Sequence, residues 1–283
     1  MSQPFRLNKE GLINRNKKIS FTFNGKKLFG YEGDTIASAL IANGIHLVGR
    51  SFKYHRPRGF FGAGVEEPNA KLQVEFNGHS EPNVNATEME LVEGLSATSQ
   101  NCWPSVNFDI GAINNFLKMF FPAGFYYKTF MWPKSFWYKI YEPFIRKAAG
   151  LGVASIEKDK ERYEHKFEYC DLLVTGSGPS GLASAYAAAK NGAKVILAED
   201  KPRFGGTLLT DDVSIDNLSG KDWAEKIITE LKSMPNVTVK NRSQVFGYYD
   251  HNMLVMFERV SDHLEKKSKF TPRQRLWYIR AKE

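Results

Sequence analysis

Short runs of hydrophobic residues, most of them alternating with polar ones, dominate the first hundred positions. This period of two is typical of half-buried strands. The pair Asn24 and Gly25 separates the first two runs and favours a tight hairpin turn. A second such pair, Asn77 and Gly78, follows a later run. The predicted strands lie at residues 19–23, 27–31, 45–48 and 71–76.

One helix interrupts these strands. Residues 35–43 are small or apolar in a helical pattern, which we expect Asp34 to cap and Gly44 to end. Strands around a single helix within residues 1–100 predict a small α+β domain of the β-grasp type.

Residues 101–168 differ because aromatic side chains are dense in their first two thirds and prolines recur among them. Proline breaks a helix, so no long helix is expected here. No charged face repeats at helical period, which favours packing against a domain or a partner subunit over lying in a membrane surface. The charged stretch 158–166 is interpreted as a linker or an exposed helix. The prolines are Pro104, Pro122, Pro133 and Pro143.

From residue 169 onward, short buried strands alternate with helices. This β-α-β-α-β order predicts a parallel sheet and an α/β, Rossmann-like domain over residues 169–283. A hairpin at 244–260 and a further strand at 275–281 follow. The predicted strands lie at 171–175, 194–199 and 237–239, and the helices at 182–191 and 221–234.

The composition of the chain limits which partners and binding sites are expected. The net charge of +8 favours an anionic partner such as a nucleotide, or belongs to a solvated basic surface. Cys102 and Cys170 are too few and too distant for a disulfide framework or a metal site, so no metal is expected. No signal peptide or membrane-spanning stretch is recognised, so we expect a cytoplasmic location and no membrane partner.

The loop at residues 49–59 mixes cations with aromatic side chains, which can bind nucleic acid or phosphate. One such loop without a recognised nucleic-acid fold is weak support, so we expect no nucleic-acid partner. Its arginines are expected to brace the domain or to contact a cofactor or partner.

The most specific chemical signal is a glycine loop between a predicted strand and a predicted helix. Gly176 permits the turn, Gly178 lets a pyrophosphate approach the backbone, and Gly181 lets the helix lie close to the sheet. Pro179 suits the first helical turn. Glu199 ends the next strand, where a carboxylate accepts hydrogen bonds from ribose hydroxyls.

A carboxylate in that place repels a 2′-phosphate, so NAD or FAD is favoured over NADP. Gly205, Gly206 and Thr207 follow the acid and form either a second cofactor contact or an ordinary turn. The alternative is a helix start with a surface acid and no ligand.

Beyond these motifs, the chain resembles the N-terminal part of the alpha subunits of heterotetrameric sarcosine oxidase. The aromatic segment is the most specific part of the match, because glycine loops occur in many families. The stretches that carry the resemblance are GRSFKYHRPRGFFGAGVEEPNA at 49–70, NCWPSVNFDIGAINNFLKMFFPAGFYYKTFMWP at 101–133, YEPFIRKAAGLG at 141–152, VTGSGPSGL and LAEDKPRFGGTL.

The resemblance implies a ferredoxin-like β-grasp domain at residues 1–100, a connector at 101–168 and an FAD/NAD(P)-binding domain at 169–283. Related amine dehydrogenases keep cluster cysteines in the first domain, and this chain has none between Gly33 and Gly78. The family's alpha subunit is far longer, so the second domain is expected to be incomplete at its C-terminus. Such a fragment is not expected to be active alone.

The resemblance also implies a function. In this family the alpha subunit binds NAD, and a beta subunit carries FAD and covalent FMN; gamma and delta subunits complete the heterotetramer. The complex uses tetrahydrofolate and O2 to convert sarcosine to glycine, 5,10-methylenetetrahydrofolate and H2O2. No catalytic residue is expected in this chain. Besides Gly176, Gly178, Pro179 and Gly181, the residues expected to contact NAD are Ser180, Glu199, Asp200, Lys201, Gly206, Thr207 and Val245.

Two rival functions stay open. The glycine loop of a related amino-acid or opine dehydrogenase subunit would hold FAD instead of NAD. Alternatively, the chain is a non-catalytic module whose aromatic segment docks a partner and whose nucleotide site is vestigial.

Overall fold

The structure is a computed structural model that describes residues 3–9, 11–120, 123–124, 130–148, 150 and 152–283. It divides into two compact units, Met1–Asp159 and Lys160–Glu283. Pro122 of the aromatic segment lies outside the described residues.

The first unit is built on a five-stranded sheet with one helix packed on it. The strand order is β2-β1-β7-β5-β6, in which β1 and β7 are parallel and the other neighbours are antiparallel. The elements are β1 (Asn14–Phe23), β2 (Lys26–Glu32), α1 (Ile36–Ala42), β3 (Gly49–Arg50), β4 (Pro57–Arg58), β5 (Lys71–Phe76), β6 (His79–Asn85) and β7 (Ser96–Ser99).

The predicted hairpin between β1 and β2 is confirmed. Phe23 pairs with Lys26, and the two turn residues Asn24 and Gly25 both have positive φ angles, 48° and 77°. Such angles define the two-residue turn that matches the twist of the flanking strands. The α1 helix lays its apolar side on the sheet, so the core of this unit contains the fully buried Ile36 and Leu40.

Two local predictions in this unit are wrong. Residues 45–48 form no strand; the short strand lies at Gly49–Arg50 and pairs with Pro57–Arg58. The N-cap of α1 is Thr35, not Asp34, and Thr35 and Ser38 form a reciprocal capping box. Asp34 is buried instead, where its carboxylate pairs with Arg6 at 2.7 Å.

We expect the Thr35→Ala substitution to lower the free energy of unfolding by about 1 kcal/mol, because it removes the oxygen that accepts a hydrogen bond from Ser38 N. Urea unfolding followed by circular dichroism measures this difference. Thr98→Ala, on an exposed position of β7, is the matched control and should change the free energy by no more than about 0.5 kcal/mol. Equal effects of the two substitutions would contradict the capping role.

The described part of the aromatic segment contains only short helices. Two turns of 3-10 helix at Ile110–Asn115 and one at Lys118–Phe120 precede a π-helical turn at Trp137–Tyr141 and α2 (Glu142–Ala148). The π-helical turn continues directly into α2, so residues 136–148 form one helix of 13 residues that contains Pro143. Pro143 therefore does not break the helix as expected, although no longer helix occurs in the described part of this segment. Many of its large side chains are exposed, including Phe116 at 84% and Trp132 at 82%. No helix in the described ranges has the length and hydrophobicity needed to cross a membrane.

The second unit contains a parallel sheet and a mixed sheet. The parallel sheet has the order β13-β10-β9, and the mixed sheet has the order β14-β15-β16-β8. The elements are β8 (Tyr163–Cys170), β9 (Leu172–Thr175), α3 (Pro179–Lys190), β10 (Val195–Ala198), β11 (Ser214–Ile215), β12 (Leu218–Ser219), α4 (Gly220–Ser233), β13 (Val237–Lys240), β14 (Ser243–Tyr249), β15 (Met253–Arg259) and β16 (Gln274–Ala281).

Both faces of the parallel sheet are covered, which explains why its central strand β10 is continuously hydrophobic and buried. Val195 and Leu197 face the core formed with α3 and α4, while Ile196 and Ala198 face a second core formed with β15 and β16. The predicted order of two helices and three parallel strands is therefore confirmed.

The interpretation of residues 158–166 as a linker or exposed helix is wrong over its second half. The β8 strand begins at Tyr163 and pairs in parallel with β16 over eight residues, from Tyr163 opposite Gln274 to Cys170 opposite Ala281. Ion pairs support this edge strand, including Glu164 with Arg275 at 2.9 Å.

Candidate functional site

The glycine loop leaves the carboxyl end of β9 and enters α3, as the sequence predicts. Gly176 has a positive φ of 90°, a conformation that glycine adopts without strain. Gly178 is the N-cap of α3, and Pro179 lies in its first turn. Gly176 to Gly178 therefore form the strand-to-helix turn, and Pro179 to Gly181 form the first turn of α3.

Close contacts explain two of the glycines. A Cβ atom on Gly181 would lie 2.0 Å from the carbonyl oxygen of Gly176, and one on Gly206 would lie 3.0 Å from Cα of Gly178. Gly206 also has a positive φ of 54°. By contrast, a Cβ on Gly178 would have no atom within 4 Å. The space in front of this residue is open.

The start of α3 is suited to an anion. No side chain caps this helix end at Gly178. First-turn amides of a helix lack intrahelical acceptors, and the helix dipole places partial positive charge there. A phosphate in the open space before Gly178 would meet both features.

Glu199 lies directly after β10 and is buried, at 4% exposure. Its Oε2 accepts hydrogen bonds from the backbone N–H of Ser177 at 2.8 Å and from the Ser177 hydroxyl. Its Oε1 accepts a hydrogen bond from the Lys201 N–H at 3.0 Å. The carboxylate thus braces the glycine loop against the end of the neighbouring strand.

The environment keeps this carboxylate ionised. Burial alone would raise the pKa of Glu199, but its hydrogen bonds with the Asp200 side chain, Ser177 and the Lys201 N–H outweigh it, so the pKa lies below its usual range. A carboxylate that accepts several hydrogen bonds from N–H groups is stabilised in its charged form.

Ser177 is a site residue that the glycine pattern does not predict, because the pattern treats this position only as a spacer. The side chain is fully buried, and its oxygen accepts a hydrogen bond from Gly205 N at 3.0 Å while its hydroxyl donates to Glu199. Ser177 therefore joins the glycine loop, the acid and the second glycine turn. A small hydroxyl residue between two loop glycines is the only sequence signal for this role.

The structure brings residues 176–181, 199–201 and 205–207 to one edge of the parallel sheet. Ser180, Lys201 and Thr207 are exposed there, and Asp200 is half-buried. Ser243 N donates to the Glu199 carbonyl at 2.7 Å, which places the start of β14 beside this edge. Val245, two residues further along, packs partly against the second core.

The basic loop at residues 49–59 contacts the protein itself. Arg50 donates twice to the carbonyl oxygen of Val106, at 2.8 and 2.7 Å. His55 Nδ1 lies 2.7 Å from Oδ2 of the buried Asp109. These bonds fasten the loop to the aromatic segment, which agrees with the expected bracing role.

Comparison with known proteins supports the predicted fold of each unit. Residues 16–102 match the family described as 2Fe-2S iron-sulfur cluster binding domain, and residues 171–254 match the family described as FAD dependent oxidoreductase. L-proline dehydrogenase from P. horikoshii is similar in structure, with a TM-score of 0.56 at 17% identity over 98% of this chain and 41% of that one. These matches establish a ferredoxin-like fold followed by a Rossmann-like fold.

The sequence comparisons are more specific. Sarcosine oxidase subunit alpha of Rhizobium meliloti (strain 1021) is 54% identical over 98% of this chain, which corresponds to 28% of that protein. The subunit from Corynebacterium sp. (strain U-96) is 32% identical over 100% of this chain and 25% of its own length. The chain thus spans about a quarter of these relatives, and its resemblance to the alpha subunits of sarcosine oxidase is confirmed over nearly all of its residues.

Proposed function

We propose that the chain belongs to an alpha subunit of a sarcosine-oxidising complex and binds NAD at the glycine loop of its second unit. The observation that carries this proposal is the open anion site before Gly178, with Glu199 held directly behind the loop. The similarity to sarcosine oxidase alpha subunits supplies the enzyme class.

The residues present fit a dinucleotide. The first-turn amides of α3 would hold the pyrophosphate, and the close approach of Gly206 to Gly178 leaves no room for side chains between the two loops. Ser180 and Thr207 are exposed at this edge and supply hydroxyl groups. We infer that Val245 lies near the adenine.

A ribose at this site must share the Glu199 carboxylate with the protein. Protein donors already occupy the Glu199 carboxylate, which has about four acceptor sites. We infer that a ribose hydroxyl replaces the Asp200 side chain at this carboxylate, while Ser177 stays bound. A ribose 2′-phosphate would meet the charge of Glu199 and is disfavoured.

FAD is the second candidate, and one observation favours it: residues 171–254 match a family described as FAD dependent oxidoreductase. Both dinucleotides contain the same adenosine and pyrophosphate, so the glycine loop suits either one. A flavin would supply redox chemistry, whereas NAD in a subunit without a catalytic residue would have a structural or regulatory role.

For the whole protein, we propose the conversion of sarcosine to glycine, with tetrahydrofolate and O2 yielding 5,10-methylenetetrahydrofolate and H2O2. The oxidation itself is placed in a partner beta subunit carrying FAD and FMN, and gamma and delta subunits complete the cytoplasmic complex. This chain would contribute nucleotide binding and subunit contacts.

Calorimetric titration of the purified chain with NAD, NADP and FAD tests the cofactor. We expect NAD to bind at least about tenfold more tightly than NADP, because the 2′-phosphate must approach Glu199. Tight FAD binding with the visible absorbance of a flavin would replace NAD by the second candidate. Absence of binding by all three, in a chain shown to be folded, would support a docking module with a vestigial site.

A further inference from the structure

The family matched by residues 16–102 implies an iron–sulfur cluster, and the residues of this chain do not fit one. A [2Fe–2S] cluster is held by four cysteine thiolates, or by two cysteines and two histidines. The whole chain has two cysteines, and only Cys102 falls in the matched range. Among the described residues, no group of three or more His, Cys, Asp or Glu side chains is placed to hold a metal ion.

The loop between β4 and β5 is organised by a carboxylate instead. Glu67 is buried, at 1% exposure. Its Oε2 accepts hydrogen bonds from the backbone N–H groups of Phe61 and Gly62, both at 2.6 Å. Its Oε1 accepts hydrogen bonds from those of Asn69 at 2.7 Å and Ala70 at 3.2 Å. Four backbone amides therefore converge on one side chain.

Converging backbone amides form an anion-binding concavity, a feature that proteins use for phosphates and iron–sulfur sites. A buried carboxylate is costly unless hydrogen bonds compensate its lost hydration. Burial alone would raise the pKa of Glu67, but the backbone hydrogen bonds outweigh it, and the pKa lies below its usual range. The concavity therefore holds a charged group.

Neighbouring contacts fix the loop around this charge. The Thr87 hydroxyl donates to the Gly64 carbonyl at 2.7 Å, and Ala86 N donates to the Ala70 carbonyl at 3.0 Å. Leu72, two residues beyond the loop, is fully buried in the core of the first unit. The loop is thus part of the packed domain.

We propose that the Glu67 carboxylate is the internal anion around which residues 61–70 fold, so that this ferredoxin-like unit holds no iron–sulfur cluster and carries no electrons. The negative charge that a cluster would bring to such a loop is supplied by the chain itself. This inference concerns the first unit alone and does not depend on which dinucleotide the second unit binds.

The adjacent residue offers a matched control. Glu66 is exposed, and its carboxylate accepts hydrogen bonds from Ala63 N at 2.8 Å and Gly64 N at 3.0 Å. Glu66→Gln and Glu67→Gln are therefore identical chemical changes at neighbouring positions. The first is at an exposed carboxylate whose two amide donors both meet one oxygen, and the second is at a buried carboxylate with two amide donors on each oxygen.

We expect Glu67→Gln to reduce the folding equilibrium constant of the chain about tenfold to hundredfold, because an amide turns its NH2 group toward two of the four N–H donors. Glu66→Gln should change it less than about threefold. Urea unfolding measures both constants. Hydrogen exchange of the wild-type chain should show protected amides at residues 61, 62, 69 and 70, which keeps the test valid if Glu67→Gln does not fold.

Two results would overturn the proposal. One is equal stability of the Glu66→Gln and Glu67→Gln variants together with rapid exchange of the four amides. The other is iron and acid-labile sulfide at two atoms of each per chain, in protein purified without oxygen and incubated with ferrous iron and sulfide. Expected instead is no retained iron and no visible absorbance from the first unit.

Discussion

Replacing Gly178 with leucine is expected to weaken dinucleotide binding at least about hundredfold while leaving the chain folded. The backbone of Gly178 is extended, with φ −65° and ψ −180°, so that any residue can adopt it. A Cβ atom there has no protein atom within 4 Å, so the side chain starts into the open space before α3. The proposed pyrophosphate would occupy that same space. Titration with NAD and FAD measures the loss, and thermal unfolding shows that the fold is kept.

Gly181→Ala separates a blocked ligand site from a damaged loop. Its new Cβ would lie 2.0 Å from the Gly176 carbonyl oxygen, so the loop must move and both stability and binding should fall. Gly178→Leu should change binding alone. If Gly178→Leu binds the dinucleotide as tightly as the wild-type chain, the pyrophosphate lies elsewhere and the proposed site is wrong.

Local patterns in the sequence were sufficient for several elements because short-range physics determines them. The Asn24 and Gly25 turn needs two positive φ angles, which these residue types adopt easily. The helices α3 and α4 and the strands between them follow from helical period, buried runs and chain order. These elements would form in the same places in many tertiary contexts.

The β8 strand was missed because its partner is distant. It pairs with β16, more than a hundred residues further along the chain, and no local signal reveals that pairing. Its composition is also highly charged, as in the stretch from Tyr163 to Lys166. Charges at this edge are neutralised across strands, for example between Glu164 and Arg275, which only the tertiary structure shows.

The sequence predicts where the backbone of the candidate site lies, but not which side chains contact each other there. Glycine spacing placed the loop at the start of α3, and the position of Glu199 after β10 placed it nearby. Ser177 donates hydrogen bonds to this carboxylate, and that contact depends on the packing of three chain segments. In the same way, two consecutive glutamates, Glu66 and Glu67, look equivalent in sequence, although only the second is buried.

Substitution of Glu199 by alanine is expected to lower the free energy of unfolding by about 3–5 kcal/mol. The change leaves the buried N–H and hydroxyl of Ser177 without their acceptor and also removes that of the Lys201 N–H. Urea unfolding measures the loss. Glu168→Ala is the control, because Glu168 makes an exposed ion pair with Lys194 at 2.8 Å and should contribute less than about 1 kcal/mol.

The stabilisation by Glu199 should also depend on pH in a defined direction. In the folded chain the pKa of this carboxyl lies below its ordinary value of 4.5, so folding favours the charged form. Its contribution is fully present above that ordinary value and is lost as the pH falls through the folded pKa. The stability difference between the wild-type chain and Glu199→Gln should therefore shrink on acidification. A difference that stays constant or grows below about pH 4 would show that the charge of Glu199 does not stabilise the loop. Carboxylates that do not contact Glu199 titrate in both chains and cancel in the difference. The quantity measured is therefore the charge of Glu199 together with its hydrogen bonds to Ser177, Lys201 and the Asp200 side chain.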